Sequence, residues 1–357
     1  MLKATMRFLP VAALLAAGCG GRPEEGLSVL LISLDTLRAD HTGIGGYKRD
    51  TTPHLDTLAE RSVVFTHAYA QAPETAPSHG SVFTGRYPST HGLENVGTLE
   101  PAHAEEILAG NYEHVQTLDQ RLPTLAEILV AAGWTAEAVT GGGELLPHLG
   151  VGRGFQRYFA RRWPVDRAVD EGRSSLARLR DAGPPWFLFW HTYEIHSPYM
   201  PPAEWDLWSA PGAELSDWVK TGHAPKELLD TREPYEMSAD SDVMVQMRDL
   251  YDGGISFTDH ELGRWLDEME ATGVLDECVL VVMSDHGEEF GEHGGILHDG
   301  RLQEEHLAVP LIVHLPGDRL GGTRVETPVG LIDLFPTLLD LVDAPAAAPY
   351  DGRRLVA

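Results

Sequence analysis

Apolar residues follow two alternating rhythms along this chain. Four nearly unbroken apolar runs stand out: Ser28 to Leu34, Trp186 to Trp190, Glu277 to Ser284 and Leu307 to Leu315. Runs of that length without polar alternation suit strands covered on both faces of a mostly parallel sheet. Val63 to Phe65 and Trp134 to Thr140 read as further strands. Between them the period lengthens to that of helices: Leu55 to Arg61, Pro123 to Gly133, the long stretch Val243 to Thr272 closed by Gly273, and a helix within Pro328 to Val342. Strand and helix in alternation predict an α/β fold with a doubly wound sheet.

In such sheets, ligands gather at the carboxyl ends of the strands. The first run ends in Asp35-Thr36, the Trp186 run in a segment containing His191 and His196, and the Cys278 run in Asp285-His286-Gly287. Asp35 alone reads equally well as a helix cap. Asp-His directly after a buried strand is a more specific metal signal. The fourth contribution comes from Pro73 to Gly92, where Pro77 fits a first helical turn and Ser78 to Phe83 the helix body. Thr75 then precedes a helix start, where free N–H groups and the dipole favour an anion. A hydroxyl placed there can attack phosphorus or sulfur once its pKa is lowered; taken alone it is a capping threonine. Together, Asp35, Thr75, Asp285 and His286 make a donor set for one divalent ion, with manganese, calcium, magnesium and zinc all open.

The run Thr75-Ala-Pro77-Ser-His79, followed by Thr84-Gly85-Arg86, Tyr87-Pro88 and His91-Gly92, resembles the signature of the sulfatases within the alkaline phosphatase superfamily. That signature has cysteine or serine, any residue, proline, any residue, arginine, then Thr-Gly-Arg. The likeness extends from about Leu27 to about Gly352. It implies an alkaline-phosphatase-like α/β/α sandwich with a large mixed, mostly parallel sheet. It also implies that His196 contacts the transferred group or the leaving oxygen, that His298 stands near a lysine position, and that His79 binds substrate in place of the signature arginine. Leaving-group protonation falls to His196 or His298.

Departures fall on the chemistry. Sulfatases oxidise their cysteine or serine to an aldehyde hydrate, which Thr75 cannot supply. Thr36 replaces a second aspartate, and Thr140-Gly-Gly-Gly-Glu144 replaces a stretch with sulfate-binding cations. Threonine is instead the nucleophile of phospho-transferring relatives. The expectation is a metal-dependent hydrolase or transferase acting on phosphate esters through Thr75. Its alternatives are a sulfuric ester hydrolase with unmodified threonine and an idle surface lipoprotein.

Composition adds compartment and partners. The 357 residues carry 54 acids against 27 basic groups, a formal charge of −27, which disfavours nucleic acid as a partner. An anionic ester must therefore be captured locally. Residues 1–19 read as an export signal: Lys3 and Arg7, the apolar run Phe8 to Ala17, then Ala16-Ala17-Gly18-Cys19. Cys19 resembles the lipidated cysteine of a bacterial lipoprotein, with a plain secretory peptide as the alternative. Residues 20–26 would be a tether, 27–345 the catalytic domain and 346–357 a short remnant. A lipid anchor on Cys19 would place the protein on a bacterial cell envelope and leave Cys278 as a core thiol. Residues Ala203 to Ser241 read as an excursion over the site's mouth. The short C-terminus gives the expectation of a more open site or a truncated product.

Overall fold

The computed structural model describes residues 26–94, 116–210, 238–298, 301–345 and 349–355. The leader, Cys19, residues 20–25 of the tether and most of the Ala203 to Ser241 excursion lie outside them.

Eight strands form the central sheet. Across it they run Thr323–Val325, Val63–Phe65, Leu311–His314, Cys278–Met283, Ser28–Leu34, Trp186–Thr192, Thr135–Thr140 and Arg157–Ala160. All pairings are parallel except those of Leu311–His314, which opposes both of its neighbours. The sheet is thus mixed and mostly parallel, as expected, and its centre is the trio Cys278–Met283, Ser28–Leu34 and Trp186–Thr192. Period two sends alternate residues of these strands to opposite faces. Val29, Leu31, Phe187, Phe189, Val279 and Val281 enter one core; Leu30, Ile32, Leu188, Trp190, Leu280 and Val282 enter the other. Both faces are covered, so the runs show no polar alternation and their few polar residues, such as Ser28 and Ser33, fall near the ends.

Helices sit where the longer period placed them: Pro53–Glu60, Leu125–Ala131, Asp242–Ala271 and Leu334–Leu341. The second starts with a full capping box, Thr124 accepting from the Glu127 N–H while Glu127 accepts from the Thr124 N–H.

Two expectations are corrected, and two elements are new. The Leu307 to Leu315 run is two strands, Ala308–Val309 and Leu311–His314, in different sheets. Pro310 between them has no N–H for a ladder, so the chain changes sheets there. The signature helix runs Thr75–Thr84, with Glu74 in the cap position, so Thr75 is its first helical residue rather than the residue before it. The edge strand Arg157–Ala160 and the helix Val165–Ala182 were not foreseen.

Candidate active site

Strand register delivers the acidic residues to one place. Ser33 pairs with His191 on one side and Met283 on the other, so Asp35 and Asp285 emerge next to each other just beyond the sheet. The Asp35 N–H still bonds the Thr192 carbonyl. Thr36, at φ 59°, turns the chain away in the left-handed region, a cost that a non-glycine residue bears where surrounding contacts fix it. Two contacts do: its N–H donates to Asp285 Oδ1, and its carbonyl accepts from the Tyr251 hydroxyl.

Every residue of the Thr75–Thr84 helix is buried. Ser78 Oγ donates to the Asp285 carbonyl at 2.7 Å, which pins the helix to the neighbouring strand end. Gly85 closes the helix at φ 65°, and a Cβ there would lie 2.7 Å from the Phe335 ring. Arg86 points away from the site, toward Asp351 and the Pro349 carbonyl. The Thr-Gly-Arg half of the signature is therefore scaffold.

Thr75 Oγ1 donates to Asp35 Oδ2 at 3.2 Å and lies 3.3 Å from His286 Nε2. The carboxylates of Asp35 and Asp285 and the His286 ring nitrogen converge, with one donor atom of each within 4.8 Å of the others. Asp35 Oδ1 and Asp285 Oδ2 are buried with no hydrogen-bond partner, a costly arrangement for carboxylate oxygens that a cation would relieve. Proton affinities report the same crowding. Burial, then the nearby Asp285 and Glu288 charges, push the Asp35 carboxyl well above its usual range. Burial also opposes ionisation of Asp285, but His286, His79, His191 and the Thr36 N–H outweigh it and hold that carboxyl down at about 2.

Tautomers follow from partners. His286 Nδ1 faces the Gly287 carbonyl at 2.9 Å and must donate, which leaves Nε2 as a lone-pair donor toward the carboxylates. Burial pushes its pKa down to about 4, keeping it neutral. His191 Nε2 donates to Asp35 Oδ2 at 3.0 Å while its Nδ1 accepts from the Gly141 N–H, so it orients Asp35. The buried pair of unpartnered oxygens, the neutral His286 nitrogen and Thr75 Oγ1 fit one divalent cation.

His79 is corrected. It is fully buried behind Thr75, Nδ1 donating to the Thr75 carbonyl at 2.8 Å and Nε2 accepting from Ser33 Oγ at 2.9 Å. It therefore ties the helix to the first strand and does not line the cavity in front of Thr75. That cavity, of about 520 Å³, has Thr75, Glu144, Tyr193, His196 and His298 on its walls. His196 and His298 meet edge to face with ring centroids 5.1 Å apart, and their surroundings push their pKa values in opposite directions. His196 donates from Nδ1 to the Ser197 carbonyl, and burial lowers its pKa. For His298 burial works in the same direction, but the Glu288 carboxylate 2.8 Å from Nδ1 overcomes it and raises the pKa. Glu288 is itself held by the Tyr199 hydroxyl at 2.7 Å.

Several participants escaped the sequence reading. Glu288 lies two residues after His286, and its place directly after Asp285-His286-Gly287 was the available signal. Tyr193 lines the same cavity wall as Thr75, and its hydroxyl accepts from the Glu144 N–H. Glu144 Oε2 accepts from the Ala76 N–H at 3.3 Å, and burial, its largest influence, raises its pKa. Arg161 and Arg162, just past the unforeseen edge strand, also border the cavity.

A mixed, mostly parallel sheet thus presents a helix-start hydroxyl to paired carboxylates at the carboxyl ends of its central strands. Residues 28–344 match the sulfatase family, and the chain belongs to that family. An arylsulfatase from Clostridium perfringens is 25% identical over 378 residues, spanning 92% of this chain and 77% of that protein. A choline-sulfatase from Rhizobium meliloti is 26% identical over 379 residues, 94% and 71% of the two chains. Among solved structures, a phosphonate monoester hydrolase of Agrobacterium radiobacter superposes with a TM-score of 0.68 at 23% identity, covering 92% of this chain and 76% of that one. The protein is thus a sulfatase-family hydrolase with an ester-cleaving architecture.

Proposed function

We propose that this protein hydrolyses, or transfers to an acceptor alcohol, the phosphoryl group of phosphate or phosphonate esters through a covalent intermediate on Thr75. The observation that carries this reading is the Thr75 hydroxyl itself, first residue of a buried helix and within hydrogen-bond reach of Asp35 Oδ2 and His286 Nε2. Threonine has no route to the aldehyde hydrate of sulfatases but is a competent nucleophile toward phosphorus.

Asp35, Asp285, His286 and Thr75 would hold the divalent ion. When bound it lowers the proton affinity of a ligated hydroxyl and neutralises charge on the transferred group. The chain's own residues do the rest. Thr75 gives its proton along the existing hydrogen bond to Asp35 Oδ2 as the Oγ1–P bond forms and the bond from phosphorus to the leaving oxygen breaks. His298, whose pKa the Glu288 carboxylate raises, supplies the proton the leaving oxygen needs; His196, whose pKa burial lowers, is placed to hold that oxygen. Water or an alcohol then attacks the phosphothreonine and gives its proton to His298, while the Oγ1–P bond breaks and Thr75 takes back the proton held by Asp35.

The names of the curated relatives favour a second reading, sulfate-ester hydrolysis with unmodified threonine. A screen of turnover against added divalent metal, over phosphate monoesters, diesters, phosphonate monoesters and sulfate esters, separates the two. Metal-dependent release from phosphorus esters with little from sulfate esters supports the proposal; the reverse order overturns it. As for location, the pattern of residues 1–19 supports export, and a lipid anchor on Cys19 would hold the enzyme on the cell envelope.

A further inference from the structure

The site holds a carboxylate where the transferred anion needs donors. Glu144 Oε2 accepts the Ala76 N–H at 3.3 Å, one residue from the nucleophile, and thereby takes a backbone donor that a phosphoryl oxygen would use. The placement is built in. Gly141 packs against the Tyr193 ring so closely that a Cβ would lie 2.3 Å from it, and Gly143, at φ 58°, lies beside the Tyr193 hydroxyl. That hydroxyl accepts the Glu144 N–H at 3.1 Å. The glycine run is thus clamped onto Tyr193, and Glu144 is delivered to the cavity wall beside Thr75. Positive charge borders the same cavity in Arg161 and Arg162, but the Arg161 guanidinium is engaged over the Trp163 ring, 5.8 Å from its centroid.

We infer that Glu144 is a specificity-determining residue that selects transferred groups of single negative charge, such as phosphodiesters and phosphonate monoesters, against dianionic phosphate monoesters. The inference rests on the phosphoryl-transfer reading and narrows its substrate class. A diester or phosphonate ester presents one charge and one substituted or carbon-bearing position beside phosphorus. That uncharged position can face the Glu144 carboxylate. A monoester brings a second charge, and one of its three charged oxygens must meet Glu144 within a few ångströms, where like charges repel strongly.

The test compares the parent with Glu144→Gln and Glu144→Asp at about pH 8, above the second phosphate ionisation near ~6. Substrates are p-nitrophenyl phosphate, bis(p-nitrophenyl) phosphate and p-nitrophenyl phenylphosphonate. Inhibition constants for orthophosphate and for dimethyl phosphate are measured alongside. Glu144→Gln is expected to raise the monoester-to-diester ratio of kcat/KM about tenfold or more and to tighten orthophosphate inhibition similarly, relative to dimethyl phosphate. Glu144→Asp keeps the charge and should keep the parent's preference. A ratio and an orthophosphate constant that stay within about twofold in Glu144→Gln make Glu144 a plain helix cap and overturn the inference. Failure of the phosphoryl reading looks different: the parent then cleaves p-nitrophenyl sulfate and no phosphorus ester, while the two inhibition constants still report on Glu144.

Discussion

Asp285 uses its two oxygens for two tasks. Oδ1 accepts from the Thr36 and His286 N–H groups and so shapes the turn on each side of the site; Oδ2 has no hydrogen-bond partner. Asp285→Asn keeps the first task and damages the second. We expect at least about tenfold weaker Mn(II) affinity by calorimetric titration, a matching loss of turnover, and partial recovery in excess metal. Unchanged affinity would remove Asp285 from the ion's ligands. Asp35, Thr75, Asp285 and His286 were legible in the sequence because each follows a strand or starts a helix in a recognisable run. His79 was misplaced because its signature position says nothing of which way the ring turns, and both ring nitrogens proved to be used in holding Ser33 and Thr75 together. Glu144 and Glu288 were missed for the opposite reason: a single carboxylate in a loop carries no periodic mark.

Elements depend on one another in ways that local pattern does not record. The Pro53–Glu60 helix has no side-chain cap from Thr52; its His54 and Leu55 N–H groups donate instead to Asp259, on the long Asp242–Ala271 helix. Burial raises the Asp259 pKa to about 6, partly offset by those two hydrogen bonds. The folded state therefore binds this proton more tightly than the unfolded chain, whose aspartate titrates near ~3.9. Stability from this group is present at low pH and is lost as pH rises through about 4 to 6. Asp259→Asn should remove that slope. Denaturant unfolding at pH 4 and pH 7 is expected to show the parent's advantage over the variant larger at the lower pH by about 2 kcal/mol. An advantage that is flat or grows with pH would contradict the burial account. The same limit explains the split at Pro310: hydrophobicity alone could not show that Leu307 to Leu315 serves two sheets.

For the whole molecule, the order of strands was not legible, but the class of sheet was, since buried parallel strands announce themselves by apolar runs. No helix among the described residues is long and apolar enough to cross a membrane. Membrane attachment in our proposal therefore rests on Cys19. Cys19→Ser expressed in a bacterial host should shift the protein from the membrane fraction to a soluble or unprocessed form; unchanged fractionation would contradict the anchor. Cys278 offers no competing chemistry, because it is fully buried and burial raises its thiol pKa far above neutrality.

The central claim is that Thr75 forms the covalent bond. Metal, helix and histidines can bind an anionic ester without its hydroxyl, but none of them supplies the intermediate. The decisive measurement is kcat/KM on a phosphorus ester for Thr75→Ala and Thr75→Ser, with metal affinity and unfolding followed in parallel. Thr75→Ala should lose about three orders of magnitude or more, equivalent to at least ~4 kcal/mol of barrier reduction, while remaining folded, and Thr75→Ser should retain part of the activity. A folded Thr75→Ala that turns over the ester as fast as the parent would make Thr75 a structural residue and contradict the mechanism.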